Sequence, residues 1–105
     1  MVNVIIYLNK EHNPRKLIDA LLRKGLAAKV STDIDNVSFF LEGGEIVTKG
    51  RTIITLQTKA LLFSAIDKFL QEWFGEQIPM CSVPITQVNR TFDEFIRTNT
   101  TFDHE

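Results

Sequence analysis

Residues 38–46 read S-F-F-L-E-G-G-E-I, and this stretch marks a tight hairpin in a chain of 105 residues. Its adjacent glycines, Gly43 and Gly44, favour the positive φ angles that a two-residue hairpin turn requires. Extended segments flank the turn at 27–41 and 46–57. Each segment is far longer than the usual strand of about five or six residues. The sequence therefore predicts an unusually long β-hairpin.

Two irregularities are predicted within this hairpin. Residues 33–36, Asp-Ile-Asp-Asn, form strands poorly and predict a bulge or bend in the first of its two strands. Gly50 predicts an interruption of the second strand, because glycine weakens a strand interior.

The residues before the hairpin predict a strand and a helix. Residues 2–8 alternate around a β-branched core and predict a strand that is buried largely on both faces. Asn13 is expected to cap a helix with Pro14 at its first position, and Gly25 is expected to end that helix as a left-handed cap.

The residues after the hairpin predict a helix, a strand and a short terminal helix. Thr58 is expected to cap the helix and Gly75 to end it. Residues 78–88 predict an edge strand, because the prolines within it cannot donate to a ladder. Residues 91–94, Thr-Phe-Asp-Glu, form a capping box before the terminal helix. The helix expected between Thr58 and Gly75 has an apolar stripe that is predicted to lie in the core. This stripe comprises Leu62, Ile66, Phe69 and Trp73.

The predicted order β-α-β-β-α-β belongs to the α+β class and indicates a ferredoxin-like fold, a four-stranded antiparallel sheet with two helices on one face. Residues 1–99 are expected to form this single domain, and residues 100–105, which include His104, a C-terminal tail. Two helices cannot cover strands as long as those of the hairpin. We therefore expect the chain to self-associate.

Composition argues against two classes of partner. The net charge is −1, from 12 basic and 13 acidic residues, without the basic excess that nucleic-acid binding requires. The longest fully apolar run, 60–63, is far shorter than the roughly 20 residues of a membrane span. The start of the chain lacks the features of a signal peptide, and a lone cysteine, Cys81, fits a reducing cytoplasm.

Few residues indicate a catalytic or metal site. His12 could act as a general base, but no oriented acid partner is apparent and a solvated residue before a helix is favoured. Cys81 has no partner at metal-ligand spacing and is expected as a small core residue of the fourth strand. Asp33 and Asp35 could help to hold a divalent ion, although a polar bend is favoured over that reading.

Five segments together resemble the CutA family of divalent-cation tolerance proteins, over nearly the whole chain from Val2 to Thr98. The hairpin is similar to the family's S-x-Y-x-W-E-G-K-I segment, and G-L-A-A-K-V to its L-A-A-C-V segment. The resembling segments are 25–30, 38–46, 53–59, 77–85 and 94–97. The resemblance implies a ferredoxin-like fold and a tight trimer in which the hairpin strands pack between subunits. It also implies a role in tolerance to divalent metals, copper especially.

The chain departs from this family pattern at the residues that would bind a soft metal. Tyr7 stands near the position of a first-strand cysteine, Lys29 replaces the cysteine of L-A-A-C-V, and Phe74 replaces the histidine of H-P-Y-E-V-P. Gln57 replaces the lysine of K-T. We therefore expect no cofactor and at most weak divalent-metal binding.

These observations favour a non-enzymatic, cytoplasmic, CutA-like homotrimer that binds a small ligand or a protein partner at subunit clefts. Tyr7, Lys29, Phe40 and Gln57 are the candidate cleft residues, with simple trimer packing as the competing interpretation. An alternative is a PII-like regulator that binds a nucleotide or other metabolite. It would need a mobile loop between the second and third strands, where the hairpin looks too short, and phosphate-binding cations, of which Lys49 and Arg51 are the only nearby ones.

Overall fold

A computed structural model describes residues 1–101 and confirms the α+β, ferredoxin-like fold. Residues 102–105, with His104 and most of the predicted tail, lie outside the described residues. The elements are β1 (Val2–Asn9), α1 (Pro14–Arg23), β2 (Lys29–Glu42), β3 (Glu45–Thr58), α2 (Phe63–Phe74), β4 (Met80–Pro84) and α3 (Arg90–Thr98), with a short 3-10 turn (Ala60–Leu62) before α2.

The four strands form one antiparallel sheet in the order β2-β3-β1-β4. The predicted edge position of β4 is confirmed, but the strand is shorter than the predicted 78–88. It ends at Pro84, which has no N–H with which to extend the ladder.

The core lies between one face of the sheet and the helices. Along β1, buried residues alternate with half-buried ones, so the expectation of burial largely on both faces is wrong within a single chain. The second face, which carries Asn3, Ile5 and Tyr7, is not covered by a helix, and we call it the open face. The largest fully buried side chains include Ile6, Leu8, Leu17, Leu21, Ile54, Leu56, Ile66 and Leu70.

The caps predicted for α1 are confirmed. The side chain of Asn13 accepts a hydrogen bond of 3.0 Å from the backbone N–H of Arg15, and Pro14 begins the helix. At the other end Gly25 has a φ of 70°, and the N–H of Leu26 reaches back to the carbonyl of Leu21 at 3.0 Å. This is the Schellman arrangement that a glycine after a helix predicts.

The start and the orientation of α2 differ from the predictions. Thr58 does not cap the helix, because its hydroxyl is buried and donates to the carbonyl of Leu26 at 2.6 Å. The helix is rotated so that Leu70 is fully buried and Trp73 is 42% exposed. Trp73 instead packs against the ring of the partly buried Phe69, with 5.4 Å between their centroids.

The terminal helix α3 forms as predicted but with a different cap. Asn89, rather than Thr91, precedes the first turn, and its side chain accepts from the N–H of Phe92 at 2.9 Å. Ile96 is fully buried. None of the helices in the described residues is long and apolar enough to cross a lipid bilayer.

The hairpin is the longest feature of the fold. Gly43 and Gly44 have φ angles of 60° and 84°, which confirms the predicted turn, and the register shifts between Asp33 and Asn36, which confirms the bulge. The predicted interruption at Gly50 is wrong, since β3 continues through it. An added Cβ there would lie 3.0 Å from Cε of Lys10, whose amino group donates to the carbonyl of Ile34 in the bulge. Glycine allows this close approach.

The outer part of the hairpin carries large apolar side chains that no helix covers. Phe39 is 70% exposed, and Leu41 and Ile46 are each 69% exposed. Phe40, on the opposite face of β2, is also exposed. We call the exposed set the apolar hairpin, which comprises Ile34, Val37, Phe39, Phe40, Leu41 and Ile46.

The residues after α3 pack against the turn at Gly25. The N–H of Thr101 donates to the carbonyl of Gly25 at 2.7 Å, and Thr100 is buried with its hydroxyl bonded to the carbonyl of Ile96. An added Cβ on Gly25 would lie 2.8 Å from Cγ2 of Thr101. This turn therefore requires glycine for its φ angle and for space.

We predict that Gly25→Ala destabilises the protein more than Gly75→Ala. Both glycines have a positive φ, but the space around Gly75 is open. The left-handed backbone should cost about 1 kcal/mol in Gly75→Ala, and the added clash should bring Gly25→Ala to about 2–4 kcal/mol. Urea unfolding at equal protein concentration measures the difference. Equal losses in the two variants would contradict the packing of Thr101 on this turn.

Candidate functional site

A cleft of about 220 Å³ lies between the C-terminal part of β1, the middle of β3 and the loop before β4. We call it the His12 cleft. Its polar lining includes Tyr7, Asn9, His12, Lys49, Arg51 and Glu76.

The sheet register places most of these side chains. Asn9 pairs directly with Arg51 across β1 and β3, and directly paired residues share a face of the sheet. Tyr7 and Lys49 each lie two residues away along their strands and therefore share that open face. The backbone N–H of Tyr7 donates to the carbonyl of Pro79 at 3.0 Å, which holds the loop that carries Glu76 against the strand.

His12 is held from three sides, and the prediction of a solvated residue is wrong. Its side chain is only 11% exposed, and its ring lies 4.5 Å from that of Phe74. Nδ1 accepts from the backbone N–H of Asn9 at 3.1 Å, and Nε2 faces a carboxylate oxygen of Glu76 at 3.3 Å. Since Nδ1 is an acceptor, the proton of the neutral ring is on Nε2 and points to Glu76.

Glu76 is the oriented acid partner that sequence reasoning missed. It comes from the loop after α2, far from His12 along the chain, and no local pattern links the two residues. Glutamate beside a glycine at a helix end is ordinary surface composition. Only the docking of that loop on β1 brings the pair together.

The cleft has an excess of positive charge. Neither Lys49 nor Arg51 forms a side-chain hydrogen bond or an ion pair with another residue in the described range 1–101. Glu76 is the carboxylate of the lining, and its side chain is 58% exposed. Two cations therefore face one carboxylate that is already engaged by His12.

Cys81 lies on the open face near Tyr7, and its predicted place in the core is wrong. It pairs with Ile5 and is exposed, whereas the neighbouring Met80 packs against the core. The alternation of a strand decides this, because adjacent residues point to opposite faces. Burial raises the pKa of the Tyr7 phenol above its ordinary 10.0, and the charge and hydrogen bonding of Cys81 raise it further.

The four predicted cleft residues share the open face but do not converge. Tyr7 lies in the His12 cleft, whereas Lys29 pairs with Gln57 towards the other end of the sheet. Gln57 donates through its side chain to Asn3 at 2.7 Å. Phe40 lies on the apolar hairpin, opposite Val47.

The weak metal candidates form part of the bulge. The backbone N–H of Asp35 donates to the carboxylate of Asp33 at 3.2 Å, so one carboxylate helps to close the bend. Both residues are exposed. Across the described part of the chain, no three side chains of the His, Cys, Asp or Glu types gather as they would around a metal ion. The described residues therefore do not fit a built metal centre.

We predict that the phenol of Tyr7 ionises above pH 10.0 and that Cys81→Ala lowers its midpoint without returning it fully to that value. Burial, the larger cause of the shift, remains in the variant. Tyr7 is the single tyrosine of the sequence, so the ultraviolet absorbance of tyrosinate reports on it alone.

The raised pKa of Tyr7 also makes the free energy of unfolding depend on pH. The unfolded phenol loses its proton first, so this contribution is present below pH 10.0 and is lost as the pH rises through the pKa of the folded state. The Tyr7→Phe variant has no phenol to ionise and should not show this loss of stability at high pH. An unchanged midpoint in Cys81→Ala would contradict the contact between the two side chains.

Several solved structures share the fold over almost the whole chain. The divalent cation tolerance protein Cut A1 of Thermus thermophilus has a TM-score of 0.83 at 23% identity, covering 96% of this chain and all of its own. CutA1 of Oryza sativa has a TM-score of 0.83 at 16% identity, covering 97% of this chain and 94% of its own. The periplasmic divalent cation tolerance protein CutA of Archaeoglobus fulgidus has a TM-score of 0.80 at 23% identity, covering 94% and 98%.

Sequence comparison supplies the family. A search of curated protein sequences found no match. The model of the CutA1 divalent ion tolerance protein family, however, matches residues 2–99. This range includes the four strands and the three α-helices described above. The chain therefore belongs to the CutA1 divalent ion tolerance protein family.

Proposed function

We propose that this chain is a non-enzymatic homotrimer of the cytoplasm that contributes to divalent-metal tolerance by binding a small ligand or a protein partner at clefts between its subunits. The apolar hairpin carries this proposal. A single chain leaves its side chains uncovered, although they are of the kind that forms protein interiors.

The apolar hairpin needs a partner on both of its faces. Phe39 and Leu41 point to one face and Phe40 to the other, so covering one face would leave apolar area in water. β2 is also an edge strand of 14 residues, with backbone groups available for pairing. A ring of identical chains can cover both faces of every hairpin, because each chain gives its hairpin to one neighbour and receives one from the other. Three is the number that the family resemblance implies.

The candidate ligand positions follow from this arrangement. Tyr7, Lys29 and Gln57 lie on the open face, which no helix covers. In the proposed trimer, clefts form where the apolar hairpin of a neighbouring chain, including Phe40, meets this face. Simple packing of the same residues is the competing interpretation. A Lys29→Ala variant that remains trimeric and binds as before would favour packing.

The role in metal tolerance is proposed to be indirect. Cys81 stands alone and exposed, and the carboxylates of Asp33 and Asp35 belong to a bend. Such a set offers copper one thiolate and no cluster of ligands within the described residues. Binding of another molecule is therefore better supported than storage of the metal.

The geometry of His12 supports binding rather than catalysis. Nδ1 accepts from Asn9 and Nε2 faces Glu76, so neither nitrogen of the neutral ring has a lone pair available to take a proton from a substrate. A PII-like role is less well supported, because the turn at Gly43 and Gly44 leaves no mobile loop between β2 and β3.

We predict that Phe39→Lys disrupts the trimer and that Leu61→Lys does not. The two side chains are 70% and 62% exposed in the single chain, but only Phe39 belongs to the apolar hairpin. A buried, unpaired lysine at an interface is costly. Native mass spectrometry should give about 36 kDa, three chains of 12.0 kDa, for the unchanged protein and for Leu61→Lys. A trimer that survives Phe39→Lys would contradict the proposal.

We also predict weak copper binding that does not depend on Cys81. Calorimetric titration with Cu²⁺ should show no tight site with one ion per chain, and Cys81→Ser should leave the titration unchanged. The pair of variants Asp33→Asn and Asp35→Asn should behave in the same way. A tight stoichiometric site lost in any of these variants would overturn the indirect role.

A further inference from the structure

We propose that the His12 cleft is a binding site for a small oxyanion, inorganic phosphate or a small phosphomonoester, with Arg51 and Lys49 as its principal ligands. This inference deepens the proposed function and rests on it only for the view that the protein acts by binding. Every residue in it belongs to one chain.

The two cations provide the attraction. Lys49 and Arg51 alternate with Gly50 on β3 and line the same cleft, and neither has a side-chain partner within residues 1–101. The planar guanidinium of arginine matches the oxygens of a phosphate in pairs, and lysine adds a point charge. Arg51 is half-buried against the strand of Asn9, which restricts where its guanidinium can reach.

The remaining polar groups leave the positive charge in excess. Glu76 is engaged by Nε2 of His12 at 3.3 Å and lies at the rim, where it is largely exposed. The phenol of Tyr7 stays protonated at neutral pH and adds no negative charge. A ligand with negative charge therefore balances the excess positive charge of the cleft.

The size of the cleft restricts the ligand. Its volume of about 220 Å³ is below the roughly 300–1,000 Å³ of pockets that hold drug-sized molecules. A phosphate with a small attached group fits this space better than a complete nucleotide. The inference thus differs from nucleotide binding of the PII type in ligand size and in needing no loop.

A second source of negative charge is an acidic side chain of a neighbouring copy in the trimer. The turn of the apolar hairpin carries Glu42 and Glu45, both exposed. If such a carboxylate occupied the cleft, Arg51→Gln would weaken the assembly and phosphate would not bind. This outcome is distinguishable from the proposal and would overturn it.

The test is calorimetric titration of the purified protein with inorganic phosphate in a phosphate-free buffer of low salt. We expect saturable binding with one phosphate per chain. Arg51→Gln should weaken it about tenfold or more, and Lys49→Gln should weaken it by a smaller factor, since hydrogen bonds to charged groups are among the stronger polar contacts. Because Lys49 is exposed, Lys49→Gln should fold normally even if Arg51→Gln does not.

Two matched variants control for the loss of net charge. Lys68→Gln on α2 and Arg90→Gln at the start of α3 remove the same charges from exposed sites outside the cleft and should bind phosphate as the unchanged protein does. No saturable binding, or an equal loss in the control variants, would overturn the proposal. The mass of each sample, measured in parallel, separates this failure from a failure of the trimer.

Discussion

The strands β2 and β3 are each 14 residues long and pair from the turn at Gly43 and Gly44 to the base of the sheet, where Lys29 lies opposite Gln57, with one bulge. The two glycines close the turn without extra residues, which sets the register of the ladder from the turn to the bulge between Asp33 and Asn36. Because α1 has only 10 residues and α2 only 12, the helical layer ends before the hairpin does. The excess length creates the apolar hairpin, whereas the open face is uncovered because the core packs on the other face of the sheet. The proposed assembly follows from these two uncovered surfaces.

The neighbouring ladder, between β1 and β3, builds the His12 cleft. It sets Arg51 opposite Asn9 and keeps Lys49 on the same face, while the loop before β4 docks through Tyr7 and brings Glu76 to His12. The apolar hairpin and the cleft therefore both arise from one sheet, and we propose that the first contacts another chain and that the second binds a small anion. A role in metal tolerance that depends on such binding is compatible with a chain that lacks a cluster of soft ligands in its described residues.

Local chemistry made much of the fold predictable. The Asn13 cap, the Gly25 turn, the hairpin turn and the bulge each depend on residues close together in sequence, and all are confirmed. The errors concern orientation and distant contacts. The apolar residues of α2 allow more than one side of the helix to face the core. In the structure the helix is oriented so that Leu70 is buried and Trp73 is exposed. The hydroxyl of Thr58 donates to the carbonyl of Leu26, which is distant in sequence, instead of capping a helix. The pairing of His12 with Glu76 has no signal in either local segment.

The most direct test of the account is hydroxyl-radical footprinting of the unchanged protein, with mass spectrometry to locate the modified side chains. In a single chain Phe39 is 70% exposed and Leu61 is 62% exposed, so the two should be modified to a similar extent, relative to the intrinsic reactivities of phenylalanine and leucine, if nothing covers the hairpin. The account predicts that Phe39 is protected and that Leu61 is modified. Comparable modification of both side chains, relative to these intrinsic reactivities, would contradict the claim that copies of the chain bury the apolar hairpin.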